Sequence, residues 1–403
     1  NAKNQFNFMA GMQILTTSDE YDAGYGRNSQ NDFYQTLGDA QTIGKYFTGF
    51  NDKWNWANGY IHADYTFNNL LKLGVNASLD GASSTGEDAT RMVFHPAGEA
   101  VLMVKQFDAF NKMEWLNKLN IYANYGVTGN SRYSSKMGKY YYTSQPYQTI
   151  SGIVRANVPN TELKPEKDYT LNVGFESSFI RNTFSLGVGY YDIQSRDVLI
   201  AGDKSSVFGT GTYYCNDGSL GAHGFEISAQ VAPVYNKDFR WIIGTNVATL
   251  SNKVKSLGTE SEYVTSLYDE AALITRVGES PYNFYGYQTA GVFSTTAEAK
   301  AAKLTNRNGI AYKAGDIHYV DQNHDNVIDD NDRVLLGSAS PKFYGDVYTR
   351  LEYKNLALDL TFGFSSGNKA YNAVRRVTAS ECDFANQSKS VIRRWSMEGQ
   401  VTD

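Results

Sequence analysis

Apolar and polar residues alternate strictly over stretches of about 9 to 11 positions, many times along the chain. This is the period-2 signature of strands with two different faces. Tyr169, Leu171, Val173 and Phe175 share one face, while Thr170, Asn172, Gly174, Glu176 and Ser178 share the other. After a turn at Arg181-Asn182, Phe184, Leu186, Val188 and Tyr190 repeat the pattern, which predicts a hairpin. Ile61 to Phe67 and Leu71 to Leu79 form a second such pair around Asn68-Asn69, and Val347 to Tyr353 and Leu356 to Phe364 a third around Lys354-Asn355. Phe6 to Ile14 and Phe225 to Val231 alternate equally well, and weaker runs at 94–104, 119–127 and 241–249 bring the count to about eleven strands.

The connections alternate too. Turns of two residues take turns with polar segments at 18–52, 131–166, 201–223, 257–341 and 366–403. Connections that long are uncommon in compact soluble domains. Short turns on one rim and long loops on the other describe an outer-membrane barrel. The same alternation fits a soluble sandwich, a propeller or a β-helix whose apolar face meets a core. In such folds the second face meets bulk water and carries more Lys and Glu; here it is small and mildly polar, as a barrel lumen requires. Aromatics near strand ends, Trp54, Trp56, Tyr65, Phe67, Phe179, Phe239, Trp241 and Tyr353, are expected to form interfacial girdles.

Composition sharpens this picture. The 403 residues include 36 Gly, 30 Tyr and 21 Phe against 7 Pro, which favours strands over disorder. No apolar run reaches the roughly 18 to 20 residues of a membrane-spanning helix, a limit that does not touch a β-barrel. Net charge is −5 with Lys and Arg dispersed, so no basic stripe signals nucleic acid. Cys215 and Cys382 form neither a metal pair nor a disulfide framework, and whether they bond to each other is open. The chain opens on Asn1-Ala2-Lys3 and ends on Val401-Thr402-Asp403, which reads as a fragment.

The sharpest chemical motif is Asp321 to Asp332. Asp321, Asn323, Asp325 and Asp332 stand at positions 1, 3, 5 and 12, and the Val327 carbonyl at 7, of a Ca²⁺-loop spacing. Asn326 replaces the usual Gly at position 6, and Asp332 is shorter than the usual Glu. The competing reading is an acidic turn held by Asx hydrogen bonds. The histidines 62, 95, 223, 318 and 324 show no zinc spacing and no nucleophile partner, so each is expected to be a wall or loop residue. With no nucleophile elbow and no selected carboxylate pair, the chain does not read as an enzyme. Tyr133, Tyr140, Tyr141, Tyr142 and Tyr147 cluster in one loop, where loop packing explains them as well as stacking on sugar or peptide.

Tyr125-Gly-Val-Thr-Gly-Asn130, Leu163-Lys-Pro-Glu-Lys167, Phe284-Tyr-Gly-Tyr-Gln-Thr-Ala-Gly-Val-Phe293 and Gly315-Asp-Ile-His-Tyr-Val-Asp321 occur in that order. They are followed by Asp332-Arg-Val-Leu-Leu-Gly337 and Pro341-Lys-Phe-Tyr-Gly345. In these segments the sequence resembles the SusC-type TonB-dependent transporters, over about 220 residues. The resemblance implies an all-β antiparallel barrel of about 22 strands, of which this chain is about half, the C-terminal portion without the plug. It also implies a place in the outer-membrane lipid, import of oligosaccharide or oligopeptide energised by the TonB complex through the missing N-terminal part, and a SusD-type lipoprotein as lid. Two other classes stay open: a SusC-like structural subunit without transport, and a soluble carbohydrate-binding β-domain. The segment 257–341, with its candidate Ca²⁺ loop, is expected outside the membrane.

Overall fold

The computed structural model of the chain describes residues 3–26, 45–131, 133–134, 136–147, 150–155, 157–203, 212–266, 271–380 and 386–402. These form two compact units, Asn1–Gly221 with Ala229–Val231, and Ala222–Ser228 with Ala232–Asp403. The first unit contains β1 (Gln5–Gly26), β2 (Lys45–Phe67), β3 (Leu71–Ala82), β4 (Met92–Met103) and β5 (Leu116–Asn130). It continues with β6 (Tyr142–Tyr147), β7 (Ile150–Arg155), β8 (Glu166–Phe179), β9 (Phe184–Asp203) and part of β10 (Thr212–Tyr235). Its hydrogen-bonded order is β1-β2-β3-β4-β5-β8-β9-β10, with β6 and β7 paired apart as a loop hairpin.

In the second unit the rest of β10 is followed by β11 (Phe239–Thr249), β12 (Ser251–Leu257), β13 (Glu262–Ser266), β14 (Ala272–Arg276), β15 (Asn283–Tyr287) and β16 (Thr289–Val292). Then come a helix α1 (Thr296–Ala302), β17 (Thr305–Asn306), β18 (Ile317–Tyr319), β19 (Val327–Ile328), β20 (Arg333–Ser338), β21 (Phe343–Tyr353) and β22 (Leu356–Ser366). The order here is β10-β11-β21-β22, with β12 against β10 and a separate sheet β13-β14-β15-β20. Eleven strands thus lie on the main hydrogen-bonded path, as the alternation predicts.

Sequential strands pair antiparallel around tight turns. Between Phe67 and Leu71, Asn68 and Asn69 take left-handed φ of 49° and 56°, and the Leu70 amide closes the turn onto the Phe67 carbonyl at 2.8 Å. Among the described residues the rows of Leu, Val and Phe stay exposed. Phe8 is 62% exposed, Val75 61% and Phe362 68%, whereas Asp64 and His95 on the other face are 5% and 6% exposed. Such an inversion of the soluble-protein rule is what lipid-facing strands show. The second face is compacted by tyrosines lying over cross-strand glycines. A Cβ on Gly11 would run into the Tyr60 ring, and one on Gly244 into the Tyr348 ring, so a larger residue there would push the tyrosine aside.

At the short-turn rim, Trp115 stacks on Phe179 at 5.9 Å and Phe179 on Phe184 at 5.7 Å. In the second unit Arg240 covers Tyr235 at 4.9 Å and Lys354 approaches Tyr353 at 5.3 Å, an aromatic and basic rim typical of an interface.

Three expectations need correction. Segments 18–52 and 201–223 are not loops throughout, because β1 runs to Gly26, β2 starts at Lys45, β9 runs to Asp203 and β10 starts at Thr212. Backbone pairing continues there after the apolar alternation has stopped. Trp54 and Trp56 do not join an outer girdle. The β1–β2 register runs without a shift from Gln5↔Thr66 to Gly26↔Lys45, so parity places both on the face of Asn58, His62 and Asp64. Finally, 257–266 and 271–341 carry strands, a helix and a small core of their own. Phe293, Ala299, Leu304 and Ile328 are buried together, with Tyr287, Tyr312 and Tyr319 packed on them. Residues beyond β22 fold onto it: Trp395 lies under Gly315 and donates from Nε1 to the Ser294 carbonyl at 3.1 Å, and Glu398 accepts from the Thr296 amide at 2.9 Å.

Candidate functional site

The polar face of the strands carries a hydrogen-bonded network, and register explains it. Asn7 lies opposite Asp64 and donates to it at 3.0 Å; His62 lies opposite Asn76, with Nδ1 2.7 Å from its Oδ1 and Nε2 3.1 Å from Asp64. Asn58 donates to Asp80 across the pair, Ser78 donates to the same carboxylate at 3.1 Å, and His95 sits 3.5 Å from it. Lys72 pairs with Glu99 at 2.8 Å, and Asn172 donates to Asn124 at 2.7 Å. In the second unit Asn246 donates to Asp346 at 3.1 Å. Polar groups opposite one another on every second position satisfy each other and leave a wettable wall. His62 and His95 lie on the polar face of the strands, and His318 stacks on Phe293 at 4.3 Å.

Above β3 the long segment between β5 and β8 folds over the chain. Ser84 donates to the Ser131 carbonyl at 3.0 Å, the Gly86 amide to Leu163 at 2.9 Å, and the Asp88 amide to Thr161 at 2.9 Å. Leu163, first residue of the Leu-Lys-Pro-Glu motif, is fully buried, and Asn216 brackets Lys164 with bonds to its amide and carbonyl. Burial pushes the Tyr133 phenol up to about 12, against the opposing pull of the Thr85 hydroxyl beside it. Of the tyrosine cluster, Tyr140 lies under Arg155 at 4.8 Å and Tyr141 near Lys136 at 5.4 Å, so loop cations cover them.

The acidic loop turns sharply at its sixth position. Asn326 adopts φ of 65°, the left-handed turn usually left to Gly at position 6. The side chains, however, serve the loop's own amides. Asp321 accepts from His324 at 2.7 Å and Asn326 at 2.8 Å, Asn323 from Asp325 at 3.1 Å, and Asp325 from Val327 at 2.7 Å. Asp332 is fully buried and accepts from Gln322 and Asp329, both at 2.8 Å. Among the described residues no three His, Cys, Asp or Glu side chains converge to hold a metal ion. Close by, the Tyr287 hydroxyl and Asp330 hold the Arg333 guanidinium above its ordinary range, and burial raises the Tyr312 and Tyr319 phenols. Cys215 is half-buried, and Cys382 lies outside the described residues.

Sequence reasoning missed that β1 and β2 continue past their apolar alternation and put Trp54 and Trp56 on the polar face. The signal was the parity of Trp54 and Trp56 with Asn58, readable once the strand is known to continue.

Residues 1–327 match the family model described as TonB dependent receptor-like, beta-barrel. TonB-dependent receptor P39 of Formosa agariphila is 25% identical over 438 residues, covering 100% of this chain and 42% of that protein. TonB-dependent receptor SusC of Bacteroides thetaiotaomicron is 23% identical over 72% of this chain and 29% of its own length. The chain therefore spans less than half the length of the curated relatives it matches. The RagAB peptide transporter superposes with a TM-score of 0.77 over 100% of this chain and 45% of that one, at 18% identity, a likeness of fold. The strand pattern, its exposed apolar rows and these matches agree: the chain belongs to the TonB-dependent receptor-like β-barrel family.

Proposed function

We propose that this chain forms wall and external loops of an outer-membrane importer of oligosaccharides or oligopeptides, energised by TonB and working with a SusD-type lipoprotein lid. The observation that carries the reading is the two-faced strand: apolar rows exposed outward, hydrogen-bonded polar rows on the other face. Among the described strands β1 pairs only with β2, and β22 only with β21. Unpaired edges are not sustained in lipid, which supports a wall continued by further strands. The family is one of transporters and receptors, and the reading assigns the chain no catalysis. Deleting TonB in cells that depend on the full-length protein for a nutrient should abolish growth on it, and a lid lipoprotein should co-purify. Growth without TonB, or a stable assembly without a lid, would favour a structural subunit instead.

The Ca²⁺ loop is proposed on its own terms. Asp321, Asn323, Asp325, Asp332 and the Val327 carbonyl would hold the ion, with the Asn326 turn already formed. The carboxylates are not gathered for it, and no step of import is routed through the ion. Ca²⁺ should protect this loop from protease and a chelator should reverse the effect; indifference to both ends the metal role.

A further inference from the structure

The Leu163-Lys-Pro-Glu166 motif sits where β9 outruns its neighbour. Strand β8 begins at Glu166 and its pairing with β9 ends at Lys167↔Arg196, while β9 runs on to Asp203. The next residue, Asp197, takes φ of 57°, a left-handed conformation that residues with a side chain avoid. Beyond it, among the described residues, β9 has no strand partner on the β8 side, and an uncovered edge is unfavourable. The motif covers that edge with side chains. Glu166 accepts from the Leu199 amide at 2.7 Å through one carboxylate oxygen, and from Asn130 Nδ2, opposite it on β5, at 2.8 Å through the other. Lys164 reaches the Asp197 carboxylate at 3.0 Å.

Asn216, on β10, ties the same point from another strand. Its Oδ1 accepts from the Lys164 amide at 3.0 Å, and its Nδ2 donates to the carbonyls of Lys164 and Asp197, both at 2.8 Å. One side chain thus joins the motif, the bent residue and β10. Leu163 and Pro165 are buried, and the carbonyls of Leu163 and Thr161 accept from the Gly86 and Asp88 amides of the turn after β3. A Cβ on Gly86 would run into the Thr161 backbone, which cannot swing aside as a side chain can, so the turn and the motif segment meet too closely to slide. Glu162, between Thr161 and Leu163, is exposed and its carboxylate takes no part in these bonds.

We infer that the motif and Asn216 form a clasp over a hinge at Asp197. The clasp holds the ends of β9 and β10, the 157–166 segment and the 83–91 turn as one body, and breaking one of its ties loosens all of them. It acts whether or not the protein imports anything. The test is hydrogen–deuterium exchange of the full-length protein in lipid nanodiscs. Asn216→Ala should speed exchange about ten-fold or more in 83–91, 157–166 and 197–203 together, and leave β1 and β2 unchanged. Glu166→Gln keeps one acceptor oxygen and turns a second donor toward its other partner, so it should loosen the same three stretches. Glu162→Gln should loosen none. At the hinge, Asp197→Gly loses the ion pair but accepts the left-handed turn, so it should loosen them less than Asp197→Ala, which loses both. Faster exchange in 157–166 alone, no change in either clasp variant, an equal effect of Glu162→Gln, or Asp197→Gly as loose as Asp197→Ala overturns the inference. If Asn216→Ala does not fold, Glu166→Gln and the two Asp197 variants decide by the same outcomes.

Discussion

Phe293 and Tyr133 show how single residues hold the external parts of this chain. Phe293 is fully buried among Ala299, Leu304 and Ile328 with the His318 ring stacked on it, so Phe293→Ala should cost the 283–338 region about 3–5 kcal/mol. Limited proteolysis should then cut that region while the strands stay protected. Tyr133 makes a pH prediction. Its folded value, about 12, lies above the ordinary 10. Its contribution is therefore fully present below pH 10 and is lost as pH rises from 10 through 12. Protection of residues 131–165 should fall in that window. Tyr133→Phe removes the titrating hydroxyl and leaves the buried ring, so it should change stability by less than about 1 kcal/mol and abolish the alkaline loss.

At the level of the element, the β1–β2 hairpin contains both what the sequence could and could not reveal. Phe6 to Ile14 announce a strand because lipid on one side and water on the other force alternation. Thr16 to Gly26 are as fully paired, yet polar residues replace the apolar row once lipid is gone, and the period-2 signal fades. The same loss hid the starts of β2 and β10. The 257–341 region was opaque for another reason: its strands are two to six residues long, and a core built from Phe293 and Ile328 joins positions far apart in sequence. The Asn326 turn was legible from residue type, whereas the engagement of Asp332 with Gln322 and Asp329 depends on backbone positions that spacing does not give. The lipid boundary can be checked by charge. Phe8→Lys should cost about 2–4 kcal/mol in urea unfolding from liposomes, and Ser18→Lys should cost less than about 0.5 kcal/mol.

For the whole molecule, the decisive property is which rows meet lipid. Eleven paired strands with exposed apolar rows and a hydrogen-bonded polar face fit a barrel wall of the TonB-dependent family. Import, the lid and the substrate follow only if that wall stands in a membrane. The most direct measurement is spin-label accessibility, residue by residue from Leu71 to Leu79, in the full-length protein reconstituted in lipid nanodiscs. A barrel wall predicts oxygen accessibility peaking at Leu73, Val75 and Leu79, with Lys72, Asn76 and Ser78 reached instead by a water-soluble nickel reagent. A flat profile, or nickel accessibility at Val75, would contradict it.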